Sequence, residues 1–245
     1  MEDRNRSRKR EAGLPFVFIN VAMTADGKIS PANRVFVPFG SRRDQELLLQ
    51  LRTEADAVMA GARTVDLSAV TLGPGGKRFR QKRAAHGRAE YNLRVVVSGS
   101  GTLDPDAEIF RRRFSPIVVL TTGRISARNL AALCKVADEV KIFGEKELDF
   151  RAALRWLRRR WDVKTLLCEG GGELNEALFR AGVVNEVHLT ICPCIFGGQH
   201  APTLADGRGL GGLSQAVRLT LKSQQRVGKE LFLLLRVKPP KTRNA

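Results

Sequence analysis

The chain has 245 residues, of which 43% are hydrophobic and 27% are charged, as is typical of a globular protein with a full core. It contains no apolar run of about 18 residues and no stretch of signal-peptide type, so we expect a cytoplasmic protein without membrane contact. The formal net charge of +17 suits phosphorylated ligands. Without a zinc finger or RNA-recognition motif, that charge does not favour nucleic-acid binding as the main function.

Charge and hydropathy along the chain predict one folded domain between two tails. Residues 1–13 are basic and poor in apolar side chains, which predicts disorder, and residues 239–245 are expected to be disordered as well. Between them, short apolar runs alternate with amphipathic stretches, without an internal repeat. We therefore expect a single domain over residues 14–238.

Short, almost continuous apolar runs predict β-strands covered on both faces, as in a largely parallel sheet. In chain order these runs are Phe16–Val21, Ala57–Ala60, Val95–Val97, Ile117–Leu120, Val140–Phe143, Thr165–Cys168, Val187–Ile191 and Leu231–Val237. A further strand over Leu219–Gln225 is joined to the last run by Val227–Glu230, which predicts an antiparallel hairpin. The sheet is therefore expected to be mixed.

Helical patterns lie between the strand runs. Ser41 and Asp149 are each placed to cap an amphipathic helix. Residues 125–136 form a weaker helical pattern, and residues 174–181 form another that ends at a glycine. Alternating strands and helices predict a layered α/β domain. Segment 73–92 is rich in Gly, Lys and Arg, which predicts a mobile loop near the functional site.

The four cysteines do not predict a metal site. Cys134, Cys168, Cys192 and Cys194 contain no CxxC pair, and most lie within apolar segments. We expect buried, reduced thiols, because two cysteines without further ligands do not bind zinc. The H-x-E and P-C-x-x-C motifs of zinc deaminases are also absent.

The most informative segment is a strand that runs through Glu169 into Gly170-Gly171-Gly172 and then into a helix beginning with Glu173-Leu174-Asn175. Glycines allow close approach of a ligand to the backbone, and the free N–H groups of a helix start favour phosphate. The pattern differs from G-x-G-x-x-G, so a Rossmann domain is not expected. Taken alone, such a triplet is equally typical of a tight turn.

Two shorter segments accompany the glycine block. The first strand leads through Ala22 into the turn Asp26-Gly27, after which Lys28 is placed to reach an anion. The second predicted strand ends at Gly61 and is followed by Arg63 and Thr64, which are suitable partners for phosphate.

In this order, the segments resemble the reductase domain of bacterial riboflavin-biosynthesis deaminase/reductases (the RibD C-terminal domain) and the stand-alone diaminopyrimidine-phosphate reductases. The resemblance spans about residues 15–238 and includes Phe196-Gly197-Gly198 downstream. It implies a three-layer dihydrofolate-reductase-like fold with a mixed, mostly parallel central sheet that ends in an antiparallel hairpin. It also implies a homodimer that uses NADPH to reduce C1′ of a ribosylaminopyrimidine 5′-phosphate.

The resemblance also assigns roles to individual positions. The implied cofactor-binding residues are Ala22, Gly61, Thr64, Gly170, Gly171, Gly172, Glu173, Leu174 and Asn175, and the implied substrate-binding residues are Lys28, Arg52 and Glu169. For a general acid, Asp26 is the nearest candidate, although its pattern is more typical of a turn former. No metal is implied.

One departure leaves the substrate open. After the threonine the family usually has Asp-Asp-Pro-x-Leu-Thr-x-Arg, whereas residues 66–73 here contain neither the paired aspartates nor the arginine. A paralogous NADPH reductase acting on a pterin, a folate or another heterocycle is therefore an alternative. A basic nucleotide- or RNA-binding protein that kept the fold without the chemistry is another.

Overall fold

A nine-stranded sheet forms the centre of the computed structural model, which describes residues 13–35 and 38–238. The strands are β1 (Phe16–Thr24), β2 (Ala57–Gly61), β3 (Leu93–Val97), β4 (Ile117–Thr121), β5 (Glu139–Ile142), β6 (Thr165–Cys168), β7 (Val184–Cys192), β8 (Leu219–Val227) and β9 (Glu230–Val237). The helices are α1 (Arg42–Glu54), α2 (Ala62–Leu67), α3 (Lys77–Ala85), α4 (Glu108–Arg111), α5 (Ala127–Val136), α6 (Phe150–Arg160) and α7 (Gly172–Arg180). Apart from Gly13, the predicted disordered tails 1–13 and 239–245 lie outside the described residues.

The strand order is β5-β4-β3-β2-β6-β1-β7-β9-β8. From β5 to β7 all neighbours are parallel, whereas β9 is antiparallel to both β7 and β8. This confirms the predicted mixed sheet with a terminal hairpin. In the part of the chain that the structure describes, no helix has the length and apolar character needed to cross a membrane.

Helices cover both faces of the parallel part of the sheet, which confirms the three-layer architecture. Alternate residues of β2 point into separate cores: Met59 packs in the core that contains α6 and α7, and Val58 packs in the core that contains α1, α2, α4 and α5. Strands β1, β2, β3, β4 and β6 bury apolar side chains on both faces, which is why these strands appear in the sequence as continuous apolar runs.

The connections around β6 and β1 create a crevice. The chain passes from β1 through α1 to β2, which lies beyond β6, and later from β6 through α7 to β7, which lies beyond β1. The two crossovers run in opposite directions and lie on opposite faces of the sheet. At such a switch point, the carboxyl ends of the strands leave open space between the flanking helices, where ligands of α/β proteins bind.

The prediction of a mobile loop over 73–92 is wrong, because this segment contains α3 and is anchored by a buried arginine. Arg83 is 1% exposed and donates hydrogen bonds to the carbonyls of Arg52, Ala55 and Ala89. Burial lowers the pKa of Arg83 to about 10. The Arg83 side chain donates hydrogen bonds to carbonyl groups at the end of α1. The last carbonyl groups of a helix have no hydrogen-bond partner within the helix itself. Because the segment is highly charged, its composition predicted a solvated loop and gave no indication of this long-range contact.

The expectation of buried thiols holds for Cys168 and Cys192 but is wrong for Cys134. Cys134 lies on α5. The neighbouring Leu133 faces the sheet and is buried, whereas Cys134 is exposed. Burial raises the pKa of the Cys168 thiol to about 12. This thiol is therefore protonated at neutral pH and unsuited to nucleophilic chemistry.

A second buried arginine, Arg94 on β3, yields a stability prediction. Its side chain is fully buried and donates to the carbonyls of Ile109, Arg112 and Ser115, with the guanidinium 4.2 Å from the centre of the Phe114 ring. We expect Arg94→Met to lower the free energy of unfolding by about 2 kcal/mol, because it leaves buried carbonyls without donors.

Urea denaturation followed by circular dichroism measures the effect of Arg94→Met. The matched control is Arg128→Met on the exposed face of α5, which should change stability by less than about 0.5 kcal/mol. Equal midpoints for the two variants would contradict a supporting role for Arg94.

Candidate functional site

A large cleft of 1390 Å³ runs along the carboxyl ends of the parallel strands. Its wall includes residues 20–22 of β1, residues 61–64 after β2, residues 97–100 after β3, Thr122 and Arg124 after β4, and residues 169 and 171–174 after β6. The position agrees with the crevice expected at the switch point between β6 and β1. The cleft thus spans five strands, which at about 4.8 Å per strand spacing provides roughly 19 Å of length.

The glycine block forms the centre of the cleft wall. Gly170 has a φ of +83°, and the Gly170–Gly171 peptide bond is cis. Gly171 caps α7 without any side-chain hydrogen bond, so N–H groups of the first helical turn are not satisfied by a cap. A Cβ added to Gly171 would enter open space and meet only Thr64 Oγ1, at 4.0 Å. This arrangement provides room for a phosphate group next to a helix start.

The loop after β2 is held against the glycine block by the backbone. Gly61 N donates to Gly170 O at 3.0 Å, and a Cβ at Gly61 would lie 3.8 Å from that oxygen. Thr64, in the first turn of α2, then faces Gly171 across the cleft. Two of the loops predicted from sequence to form one site therefore lie together.

Not every residue of the glycine block lines the cleft. Gly171, Gly172, Glu173 and Leu174 lie on its wall, whereas Gly170 and Asn175 do not. Asn175 is fully buried, and its Nδ2 donates to the carbonyl of Leu204 at 2.9 Å. Asp206 N donates to Gly172 O at 3.0 Å. The loop that contains Leu204 and Asp206 therefore supports the start of α7, and Asp206 itself lines the cleft.

Arg52 and Glu169 form a buried, bidentate ion pair. Arg52 Nε and Nη2 donate to the two carboxylate oxygens of Glu169 at 2.6 and 2.7 Å, and Nη1 donates to Gly73 O at 2.7 Å. Burial alone would lower the pKa of Arg52, but the charge of Glu169 and its hydrogen bonds keep that pKa above the usual value. Both residues also line the cleft. The pair joins α1 to the end of β6 and presents a polar surface to a ligand.

Asp26 and Lys28 do not lie on the cleft wall. Asp26 accepts hydrogen bonds from Thr24 Oγ1 at 2.5 Å and from the backbone N–H groups of Phe196 and Gly197. The bond from Thr24 and these backbone N–H groups hold the pKa of Asp26 below its usual value. Lys28 Nζ donates to Ala201 O at 3.3 Å. Both side chains therefore support the turn after β1 and the loop packed on it.

Several polar residues of the cleft were missed by the sequence analysis. Asn20 and Asp44 line it at the β1 end, and Ser98 and Arg124 line it at the β4 end. The Arg124 guanidinium lies over the turn after β3, since a Cβ at Gly99 would be 2.7 Å from Arg124 Nη2. None of these positions belongs to a glycine motif. Their common signal is a polar residue within a buried strand, just after such a strand, or in the first turn of a neighbouring helix.

Comparison with known proteins agrees with this geometry. The model of the RibD C-terminal domain matches residues 15–233, which is most of the chain. The chain belongs to this family. Among the relatives of this RibD C-terminal domain protein, a 2,5-diamino-6-ribosylamino-4(3H)-pyrimidinone 5′-phosphate reductase from Archaeoglobus fulgidus is 33% identical over 79% of this chain and 87% of its own length.

Solved structures show the same fold. A pyrimidine reductase-like protein from Corynebacterium diphtheriae has a TM-score of 0.74 and 24% identity, with 91% of this chain and 92% of that one covered. A diaminohydroxyphosphoribosylaminopyrimidine deaminase/5-amino-6-(5-phosphoribosylamino)uracil reductase from Thermotoga maritima has a TM-score of 0.69 and 18% identity. The comparison covers 92% of this chain but spans only 57% of the Thermotoga protein. The predicted dihydrofolate-reductase-like fold is thereby confirmed.

Proposed function

We propose that this protein is an NADPH-dependent reductase that acts on a ribosylaminopyrimidine 5′-phosphate in riboflavin biosynthesis. The observation that carries the proposal is the uncapped start of α7 at Gly171, which faces Thr64 in a long cleft at the switch point of a RibD-family fold. Such a cleft accommodates a dinucleotide and an acceptor side by side. The name of the Archaeoglobus relative supports the choice of substrate class.

In this proposal the centre of the cleft holds the cofactor. The backbone of Gly171–Leu174 and the Gly61–Thr64 loop bind the pyrophosphate, and Ala22 on β1 lies beside the nicotinamide. Gly170 and Asn175 act indirectly, since they shape the turn and anchor the supporting loop. When bound, NADPH supplies the hydride. The chain itself orients the acceptor and excludes water. These two effects account for much of the lowering of the activation barrier in such reactions.

The β4 end of the cleft supports NADPH over NADH. Arg124 forms no ion pair within the described residues, and its guanidinium lies over the Ser98–Ser100 turn. With the pyrophosphate at β2 and β6 and the nicotinamide at β1, the adenosine extends toward β3 and β4. A phosphate on its ribose then meets a guanidinium, a pairing typical of phosphate recognition.

Replacing Arg124 by glutamine tests the cofactor assignment. We expect the affinity for NADPH to fall about 30-fold, because one charge-assisted contact worth about 2 kcal/mol is lost, while the affinity for NADH stays unchanged. Fluorescence titration of the reduced nicotinamide measures both constants. Equal losses for NADPH and NADH would show that Arg124 does not contact the phosphate that distinguishes them.

Arg52 and Glu169 are proposed to contact the substrate beside the nicotinamide. Their charges compensate each other, so they offer hydrogen bonds to sugar or ring atoms without adding net charge to the cleft. Asp26 and Lys28 are not assigned a catalytic or binding role, because neither lines the cleft and both side chains bond to the backbone of the adjoining loop.

We also propose a single domain over residues 14–238 that forms a homodimer in the cytoplasm. Strand β8 is one of the two edge strands of the sheet, and Leu219 and Leu221 on it are 41% and 49% exposed. An exposed edge with apolar side chains favours self-association. The buried free thiols Cys168 and Cys192 are typical of proteins in a reducing compartment.

A turnover assay tests the proposed reaction directly. The chain is mixed with NADPH and the ribosylaminopyrimidine phosphate, and loss of the reduced nicotinamide absorbance is followed. Oxidation that depends on this substrate supports the proposal. Oxidation with dihydropterin or folate alone would favour a paralogous reductase. Steeply salt-dependent RNA binding without oxidation of NADPH by any acceptor would favour the binding-protein alternative.

A further inference from the structure

The first residue of β9, Glu230, carries a buried carboxylate that binds the start of a helix far away in the chain. Glu230 is only 5% exposed. The backbone N–H of Ser41 donates to its Oε1 at 2.6 Å, and the Ser41 hydroxyl donates to its Oε2 at 2.5 Å, across 189 positions of the sequence. The Cys192 thiol, at the end of β7, also donates to Oε1, at 3.5 Å. Because hydrogen bonds to an ionised acceptor are strong, these three donors hold the carboxylate in one place.

Ser41 is the N-cap residue of α1, and Glu230 completes this cap. The Ser41 hydroxyl oxygen accepts hydrogen bonds from Arg43 N at 3.2 Å and from Asp44 N at 3.4 Å. A hydroxyl has one hydrogen to donate. Since that hydrogen points to Glu230, the lone pairs of the oxygen face the free N–H groups of the first helical turn. Glu230 thereby sets the orientation of the cap and the position of the start of α1.

The chain on both sides of Ser41 forms part of the cleft wall. Residues 38–40, directly before it, line the cleft. The residues of α1 that line the cleft after it are Asp44, Gln45, Leu48 and Arg52. Glu230 itself is not on the wall. Its contact with the cleft therefore passes through Ser41 and the start of α1.

The charge of Glu230 also acts on Asp44, in the first turn of α1. Burial is the main cause that raises the pKa of Asp44, a side-chain hydrogen bond with Thr190 lowers it, and the charge of Glu230 raises it further. Within the described residues, the other titratable group that faces Asp44 is the Cys192 thiol. Burial and the nearby carboxylates raise the pKa of Cys192 to about 12, so this thiol is uncharged at neutral pH. A carboxyl group on the cleft wall thus responds to the charge of Glu230.

The proposed cofactor end of the cleft is built from other elements. The start of α7 and residues 61–64 are held together by the bond from Gly61 N to Gly170 O. In the described part of the chain, neither Glu230 nor Ser41 forms a hydrogen bond with these segments. In contrast, α1 carries Arg52, which is proposed to contact the acceptor. A change at the start of α1 should therefore affect the acceptor and leave the cofactor in place.

We propose that Glu230 is a positioning residue for the acceptor, which fixes the start of α1, through Ser41, at the acceptor end of the cleft. The proposal rests on the proposed function, since it concerns the acceptor of the same cleft. The terminal hairpin then contributes to the site as well as to the sheet, because β9 supplies the carboxylate that orients α1.

Steady-state kinetics of Glu230→Gln test the positioning role. Glutamine has nearly the same size but only one acceptor oxygen, so one bond from Ser41 is lost. The KM for the pyrimidine phosphate should rise about 10-fold, whereas kcat and the KM for NADPH should change less than about twofold. The control Glu186→Gln removes a carboxylate of β7 that pairs with Arg236 of β9 at 3.1 Å, and it should leave all three constants unchanged. An unchanged KM for the pyrimidine phosphate in Glu230→Gln, or an equal rise in both KM values, would overturn the proposal.

A double-mutant cycle tests whether Glu230 acts through Ser41. Ser41→Ala removes the hydroxyl and should raise the KM for the pyrimidine phosphate about threefold. Combined with Glu230→Gln it should add little to the effect of Glu230→Gln alone, because both changes remove the same contact. Full additivity would show that Glu230 acts by another route and would contradict the proposal. If Glu230→Gln does not fold, Ser41→Ala changes only an exposed residue and provides the same comparison of KM values.

The pH dependence is a readout that a purely structural role of Glu230 would not move. Loss of the Glu230 charge favours the ionised form of Asp44, so the pKa of Asp44 should fall in Glu230→Gln. The inflection that Asp44 causes in the pH dependence of the KM for the pyrimidine phosphate should then move to lower pH. An inflection that stays in place would contradict an action of Glu230 on this end of the cleft.

Calorimetry separates failure of this inference from failure of the proposed function. If the wild type binds the pyrimidine phosphate without reducing it, only the proposed reaction fails. Weaker binding of the pyrimidine phosphate by Glu230→Gln, with unchanged binding of NADPH, then still supports the positioning role. Equal affinities of the wild type and Glu230→Gln for the pyrimidine phosphate would refute that role even if the reaction is confirmed.

Discussion

Replacement of Arg52 by methionine is expected to lower the free energy of unfolding by about 3–5 kcal/mol, because it leaves the carboxylate of Glu169 buried without its partner. The side chains of Arg52 and Glu169 are only 11% and 10% exposed, so water does not compensate for the lost ion pair. The variant also removes the hydrogen bond to Gly73 O, which ties the following segment to α1. Chemical denaturation of the wild type and the variant measures this difference.

A double variant separates the structural contribution of the pair from its role toward the substrate. Arg52→Met combined with Glu169→Leu replaces both charges by apolar groups and should recover at least about 2 kcal/mol relative to Arg52→Met alone. Reductase activity should stay lost in the double variant, because the polar contacts proposed for the substrate are missing. Full activity in the stable double variant would show that the pair serves only the fold.

Gly171→Ala is expected to reduce NADPH affinity by about 100-fold, because its methyl group occupies the space proposed for the pyrophosphate beside the start of α7. Gly171 has a φ of −75°, which alanine adopts readily, and the nearest atom that an added Cβ would meet is Thr64 Oγ1 at 4.0 Å. Fluorescence titration with NADPH gives the affinity.

Two other glycines serve as controls for Gly171→Ala. Gly76→Ala places a methyl group in open space away from the cleft, and NADPH affinity should not change. Gly172→Ala brings the new Cβ to 2.5 Å from the carbonyl oxygen of Thr203, so this variant should also lose stability. An unchanged NADPH affinity of a folded Gly171→Ala protein would refute the placement of the pyrophosphate.

The order of the strands in the chain and the position of the glycine block were predictable because both depend on local patterns. A continuous apolar run indicates a strand covered on both faces, and glycines between a strand and a helix indicate a close backbone approach. Gly61, Thr64 and Gly171 accordingly lie together in the cleft. The hairpin of β8 and β9 was predictable for the same reason, since its turn is short.

The sequence was least informative where a side chain acts over a long sequence separation. Arg83 lies in a segment whose composition is typical of a solvated loop, yet its partners are carbonyls 28 and 31 residues away. Lys28 follows a turn as an anion-binding residue would, but the loop around Ala201 packs on that turn, and the Lys28 amino group donates one hydrogen bond to the carbonyl of Ala201. No pattern within a window of the sequence contains information about such partners.

The sequence by itself determined the fold class, the family and the glycine segment proposed to hold the cofactor, because apolar periodicity and glycine placement act through the local backbone. Only the tertiary structure decided which polar residues face the cleft. Asp44 and Asn20, which both line it, come from separate elements, and the crossover of α1 over the sheet brings them together. Such residues form one polar surface only after the core has packed, because packing brings distant parts of the chain together and removes water from around them.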